Sequence, residues 1–329
     1  MKKTIFEMLK NADGCFVSGE NIADKLKVSR TAIWKHIQQL RKRGYDIESS
    51  ERRGYKLKDV PDLITPDIVQ SGLETKFIGQ DSRMVYEDST DSTNELAKRL
   101  AYHGAENGTV VIAEKQTGGK GRLERKFFSP PGTGIYFSLI LRPNCNPKDA
   151  AKFTLLAAAA VAESMKKFNL RAEIKWPNDI LYDGRKIVGI LTEMSASIEQ
   201  VNYIVVGVGI NVNERRENFP ADLQKVAASL AEMNGGKNLN RADFFRTVLE
   251  EFERLYIFAE TENFDEVFKI WRAYNITLGK QIKIIAADSG ETFTGIAVDI
   301  NENGALVVDT EDGRRVVYAG DVSIRETRD

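Results

Sequence analysis

Residues 149–168, DAAKFTLLAAAAVAESMKKF, read as one helix that is apolar on nearly every side. A helix of that kind has to be enclosed by other elements, so the chain must build layers around it. The stretch just before it, GIYFSLIL at 134–141, reads as a strong β-strand. Further strands are expected at 84–87, 109–114, 172–175, 186–193 and 203–210, and further helices at about 221–234, 240–260 and 264–274. These alternate as a mixed α/β body.

The two ends of the chain follow different rules. From Leu278 onward, short strands are separated by Asp-Ser-Gly, Asn-Glu-Asn-Gly and Glu-Asp-Gly turns, which predicts a small all-β barrel of the SH3-like kind. The first sixty residues hold 14 Lys+Arg against 8 Asp+Glu, while the remainder holds 33 against 40. A basic head on an acidic body assigns any polyanion to the head. Within that head Ser18 and Ser29 are positioned to cap successive helices. In the second of these, Ile33, Ile37 and Leu40 recur at helical spacing and face the core. Arg30, Thr31, Trp34, Lys35, Gln38 and Arg41 then fall on the outer side. The unit from about Gly19 to Gln38 reads as a helix-turn-helix, followed by a hairpin with Arg52 and Arg53 at its tip as a basic wing. A solvated three-helix bundle would share the charge but not the wing. KDVPDLITPD, with Pro61 and Pro66, reads as a linker. The expected fold class is therefore α+β multidomain, with domains at 1–62, 63–276 and 277–329.

Several function classes drop out. The longest uncharged apolar run, 153–161, is too short to span a bilayer, and the N-terminus lacks the apolar region of a secretory signal, so the chain is expected to be cytoplasmic with no membrane partner. Two histidines and two widely separated cysteines leave no histidine-built zinc site or Ser-His-Asp hydrolase, and no metal held by protein side chains is expected.

The chemistry concentrates in a few motifs. KQTGGKGRLERK at 115–126 packs three glycines among five cations, which suits a mobile loop closing over an anion. It is not a phosphate-binding Walker loop, since Glu114 stands where the first glycine belongs. Ser92, Thr93 and Asn94 open a helix, where Ser92 and Glu95 could equally form an ordinary capping box. In KWPND at 175–179, Trp176 could be a core aromatic and Asn178 and Asp179 a turn, while Lys186 enters a glycine-punctuated strand. Taken singly, each has a structural explanation.

Taken together, Ser92-Thr93-Asn94, Gln116 with GGKGRLER, GTGIYFSLILRP, KWPNDI, GRKIVGILTE and GVGINVN closely resemble the biotin protein ligase family. The basic head makes the chain similar to its bifunctional subgroup, which pairs biotin ligase with a biotin-operon repressor. The resemblance implies a biotin/lipoate-ligase-like central domain that uses ATP and Mg²⁺ to make biotinyl-5′-AMP. Biotin then passes to one lysine of a biotin carboxyl carrier protein, such as that of acetyl-CoA carboxylase. It implies catalysis by Lys186, Arg122 and Lys175, and biotin binding by Ser92, Thr93, Asn94, Gln116, Lys120, Gly121, Arg122, Lys186 and Gly189. ATP or adenylate falls to Arg122, Arg125, Trp176, Asn178, Asp179 and Asn211. Biotinyl-5′-AMP as corepressor would drive a homodimer onto palindromic operator DNA, read by Arg30, Thr31, Trp34, Lys35 and Gln38, with Arg52 and Arg53 on the backbone or minor groove. Two departures from the family pattern are Lys120, where arginine is frequent, and Leu123-Glu124, which set an acid beside the phosphate cradle. A lipoate-type ligase and a non-catalytic biotin sensor remain as alternatives at this point.

Overall fold

The computed structural model describes residues 2–324 except 43, 60–61, 123–124, 199, 287–289 and 319. The chain divides into two compact units, residues 1–73 and 74–329.

The first unit contains α1 (Lys2–Asn11), α2 (Gly19–Leu26), α3 (Arg30–Lys42), β1 (Asp46–Ser50), β2 (Gly54–Asp59) and α4 (Pro66–Val69). Both caps form: Ser18 Oγ accepts from Asn21 N at 3.0 Å and Ser29 Oγ from Ala32 N at 3.2 Å. Ile33, Ile37 and Leu40 are fully buried with Ile5, Phe6 and Ile22. Arg30, Thr31, Trp34 and Lys35 are exposed, and Gln38 is partly so. β1 and β2 pair antiparallel, and Val17 adds a bridge to Tyr55. Gly54 makes this possible, since its φ is +98° and a Cβ there would lie 2.1 Å from Val17 O. At the wing tip the Arg53 guanidinium lies 4.0 Å over the Phe16 ring. Arg41 departs from expectation. It turns inward, its Nε donating to Ile47 O at 2.9 Å and its Nη2 to Ser49 Oγ at 2.6 Å, and so ties α3 to the wing. Residues 63–73 belong to this unit, with Tyr45 Oη donating to Asp67 Oδ2 at 3.3 Å. Pro61, the first linker proline, lies outside the described residues.

The second unit is built on a seven-stranded sheet. Its strands are β3 (Met84–Glu87), β4 (Thr109–Ala113), β5 (Gly134–Leu141), β6 (Glu173–Lys175), β7 (Asp179–Tyr182), β8 (Arg185–Ala196) and β9 (Val201–Asn211), in the order β3-β4-β5-β9-β8-β7-β6. β3 and β4 are parallel and the other neighbours antiparallel. One face receives α5 (Thr93–Tyr102), whose Ala97 and Ala101 pack on Val111, Ile140 and Val205. The other receives α6 (Ala150–Lys167), α8 (Arg241–Thr261, after the short α7, Leu230–Met233) and α9 (Asp265–Tyr274). There the Phe137 ring lies 4.8 Å from Phe245, and Phe153 meets Tyr256 and Phe264. Cover on both faces explains why every residue of β5 is buried. The fully buried Arg241 pins the start of α8 to the sheet, donating to Glu114 Oε1 at 2.8 Å and Gly134 O at 2.9 Å.

The helix expected at 221–234 is largely absent. Lys186 N donates to Val226 O at 2.8 Å and Ala228 N to Lys186 O at 2.9 Å, so this backbone pairs with the start of β8. Helix resumes only where Ser229 caps α7.

The remaining strands β10 (Gln281–Ala286), β11 (Thr292–Ile300), β12 (Leu306–Thr310), β13 (Gly313–Val317) and β14 (Gly320–Ile324) form an antiparallel sheet, ordered β13-β12-β11-β10-β14 with β13 and β14 at its edges. No described helix is long and apolar enough to cross a membrane.

Candidate active site

On one face of β8 and β9, three glycines open the sheet between the side chains of Tyr136, Ser138 and Leu191. Gly209 stands opposite Gly189 and Tyr136, and Gly207 opposite Leu191 and Ser138. A Cβ on Gly207 would sit 1.9 Å from Asn94 Oδ1, and one on Gly209 2.6 Å from the Phe127 ring. Glycine is therefore needed where α5 and the glycine-rich loop reach the sheet. A cavity of about 480 Å³ opens over this floor.

The start of α5 supplies one wall. Ser92 is its N-cap, yet its side chain makes no cap hydrogen bond, so the capping-box alternative does not form. The Glu95 carboxylate is taken instead by Lys98 at 2.9 Å and Lys120 at 2.5 Å, since two ammonium donors outbid a neutral amide. Those contacts, Lys120 foremost, hold its carboxyl below the usual range. Gln116 Oε1 accepts from Thr93 N at 2.8 Å and its Nε2 donates to Ser129 Oγ at 3.0 Å. The protein engages both ends of the Asn94 amide: Nδ2 donates to Leu191 O at 3.2 Å and Glu193 Oε2 at 2.8 Å, and Oδ1 lies 2.6 Å from Ser138 Oγ.

The loop is better anchored than its composition suggests. Thr117 N and Gly118 N donate to Thr90 O and Asp91 O at 2.9 and 2.8 Å, and Phe127 N to Gly119 O at 2.9 Å. The backbones of Lys120 and Lys126 form an antiparallel bridge. The tip residues Leu123 and Glu124 lie outside the described residues. Phe127 packs its ring on Gly189, Gly209 and Tyr136, while Phe128 meets Phe219. Burial raises the Tyr136 hydroxyl's pKa and keeps it a donor, to Pro130 O at 3.0 Å.

The opposite wall carries the cations. Lys186 Nζ lies 2.8 Å from Asp179 Oδ1, an ion pair whose alignment is not that of a hydrogen bond. Asn178 Nδ2 donates to Ile190 O at 2.9 Å, and its Oδ1 stands 3.4 Å from Arg122 Nη1. Asn211 Nδ2 donates to Ala228 O at 3.1 Å, which joins β9 to the segment that brings Leu223, Val226 and Ala227 to the cavity. Arg185 holds Glu232 through two contacts, 3.1 and 2.6 Å, and the carboxylate raises its already high pKa.

Lys186, Arg122, Lys175, Ser92, Thr93, Asn94, Gln116, Lys120, Gly121, Gly189, Arg125, Asn178, Asp179 and Asn211 all line this cavity. Trp176 does not. It is 2% exposed, with its backbone N donating to Thr277 Oγ1 at 3.0 Å and its indole Nε1 to Gly304 O at 3.3 Å, so it joins the KWPND turn to the C-terminal sheet. The sequence alone does not single out Phe127, which lines the cavity, or Ser138 and Glu193, which orient Thr93 and Asn94 from behind. A lone serine within GIYFSLIL was the available signal for Ser138.

Residues 86–211 match the biotin/lipoate A/B protein ligase family, 2–56 a helix-turn-helix domain and 277–325 the biotin protein ligase C-terminal domain. The chain is 38% identical over 325 residues, 98% of each chain, to the bifunctional ligase/repressor BirA of Bacillus spizizenii. The chain belongs to the bifunctional biotin ligase/repressor family. Against the Escherichia coli bifunctional ligase/repressor BirA the identity is 30% over 318 residues, 95% of this chain and 94% of the other. The biotin protein ligase of Aquifex aeolicus in complex with biotin and ATP superposes with a TM-score of 0.63 at 29% identity, covering 75% of this chain and all of that one. For this ligase/repressor the matched segments coincide with the architecture: the helix-turn-helix in the first unit, the ligase segment from β3 to β9, and the C-terminal domain on β10–β14.

Proposed function

We infer that this ligase/repressor activates biotin with ATP, transfers it to a carrier-protein lysine, and uses the same adenylate to control DNA binding. The observation that carries the reading is the convergence of Lys186, Arg122, Lys175 and Asn178 on a glycine floor faced by Ser92, Thr93 and Gln116.

Biotin's ureido ring is neutral and flat, and hydroxyl and amide partners at Ser92, Thr93 and Gln116 suit it. Its ring and tail find the apolar strip beside Gly189 and Phe127. The biotin carboxylate oxygen attacks the α-phosphorus of ATP, and the bond to pyrophosphate breaks. Two anions approach each other in that step, so Lys186, Arg122 and Lys175 stabilise the developing charge. Lys186 exchanges its resting partner Asp179 for the reacting anions. Asn211 and Arg125 face the adenylate, and Asn94 acts as a frame because both of its amide hydrogens are committed to Leu191 O and Glu193. Mg²⁺ brought in with the nucleotide would supply positive charge to the departing pyrophosphate. In the second step the acceptor amine attacks the mixed anhydride's carbonyl and AMP leaves. Because water also attacks that anhydride, closure of residues 115–126 protects it.

Residues 1–62 serve as the DNA-reading module with 63–73 packed in the same unit, 74–276 serve as the catalytic module, and 277–329 as a C-terminal module whose antiparallel sheet we read as SH3-like. Adenylate-bound chains pair as homodimers on a two-fold operator in the cytoplasm. Pyrophosphate release that needs both biotin and ATP, followed by label transfer to a carrier domain, tests the ligase half. Release driven by lipoate, or none at all, would overturn it.

A further inference from the structure

Lys120 lies between Gly119 and Gly121, whose backbone pairs across the loop with Phe127 N at 2.9 Å and Arg125 O at 2.6 Å, so this part of the loop is a small paired unit and the Lys120 side chain adds a contact outside it. That side chain reaches out of the loop to α5, with its ammonium 2.5 Å from Glu95 Oε1. Glu95 stands in the first turn of α5, where the helix dipole favours a carboxylate. It is also part of a longer chain. Lys98 bridges Glu95 at 2.9 Å and Glu193 of β8 at 2.7 Å, and Glu193 accepts from Asn94 at 2.8 Å, against the cavity floor. The loop cation is thereby tied to the rigid sheet through three side chains on helix and strand. The outer end of this chain is open to water, Lys120 being 52% and Glu95 26% exposed, whereas its inner end at Asn94 is buried.

We propose that Glu95 is a positioning residue, a latch on Lys120 that sets how long the glycine-rich loop stays closed and hence how long the adenylate stays bound. An exposed pair of this kind is weak and quickly remade, so it holds the loop without trapping the product. That suits an intermediate which must outlast attack by water yet be surrendered to an acceptor. Glu95 touches neither substrate nor reacting atoms in this account, so the rate of adenylate formation is independent of it. The proposal rests on the adenylate-forming reading of the cavity.

The test begins with pyrophosphate release by the full-length protein given biotin and ATP; failure there defeats the ligase reading itself and not the latch alone. Release of preloaded radiolabelled biotinyl-adenylate is then timed for the natural protein, Glu95→Gln, Lys120→Met and the double variant, at low and high salt. Glu95→Gln is expected to release adenylate about two- to fivefold faster at low salt, with pyrophosphate release unchanged. Lys120→Met reads the same latch from the loop side should loss of Glu95 disturb α5. The double variant should release no faster than the faster single, because both remove one contact. Added salt should narrow the gap by quickening the natural protein. Glu95→Gln releasing at the natural rate, or two effects that multiply, would overturn the proposal.

Discussion

In α3 of the first unit, Arg30, Thr31, Trp34 and Lys35 are exposed, and they are held in place from below by the fully buried Ile33, Ile37 and Leu40. In the cleft of the second unit, Thr93, Asn94 and Gln116 are held sideways, by hydrogen bonds to Ser138, Glu193 and Ser129. A long polyanion meets a surface from outside, so its reader needs only a rigid scaffold and outward cations. A small ligand must be enclosed, so each group that faces it is oriented by a second group behind. Substitutions in the head should therefore change binding without touching stability, and those in the cleft should often change both.

The largest effect is expected from Lys186→Ala. Losing one stabilising cation at the reacting phosphate should slow adenylate formation on the order of 10²–10³-fold, read by pyrophosphate release, while thermal unfolding is unchanged. Next is Gly207→Ala. Its Cβ would collide with Asn94 Oδ1 at 1.9 Å, and overpacking of this kind costs about 1–3 kcal/mol. Denaturation and biotin binding should both suffer. A variant as stable and as tight as the natural protein would show that the floor is not the constraint.

Trp176→Phe separates packing from chemistry. A benzene ring stays, but the pyrrole half of the indole goes with its Nε1 and Gly304 O loses its donor, at about 1–3 kcal/mol for an unsatisfied buried group. Stability should fall while biotin affinity holds. A lost biotin site with stability intact would return Trp176 to the cavity wall. The mildest effect on the fold belongs to Lys35→Ala, within about 0.5 kcal/mol of the natural stability. Operator affinity should weaken, and the salt slope should drop by about one if Lys35 meets a phosphate.

Much of this contrast was legible in the residues. Ile33, Ile37 and Leu40 show a face by spacing alone, and so do the Ser18 and Ser29 caps, because these are local rules. The motif residues of the cleft could be nominated, but their partners could not. Glu193 lies 99 residues from Asn94, and Thr277 lies 101 from Trp176. The same limit explains where the structure departs from local expectation. Ser92 and Glu95 have capping-box spacing, yet Lys120, distant in sequence, takes the carboxylate. Residues 221–228 carry helical periodicity, yet Lys186 claims their backbone. Local propensity lost wherever a tertiary partner offered a charge or a strand edge.

If one cleft feeds both outputs, adenylate made there is either consumed by the carrier lysine or left to bring two heads onto one operator. Titration of a two-fold operator with and without biotinyl-adenylate, alongside sedimentation, tests this most directly. Coupling of about 1–3 kcal/mol, or roughly 5–150-fold tighter binding together with dimer formation, is the predicted result. Equal operator affinity and an unchanged sedimentation coefficient with and without adenylate would contradict it.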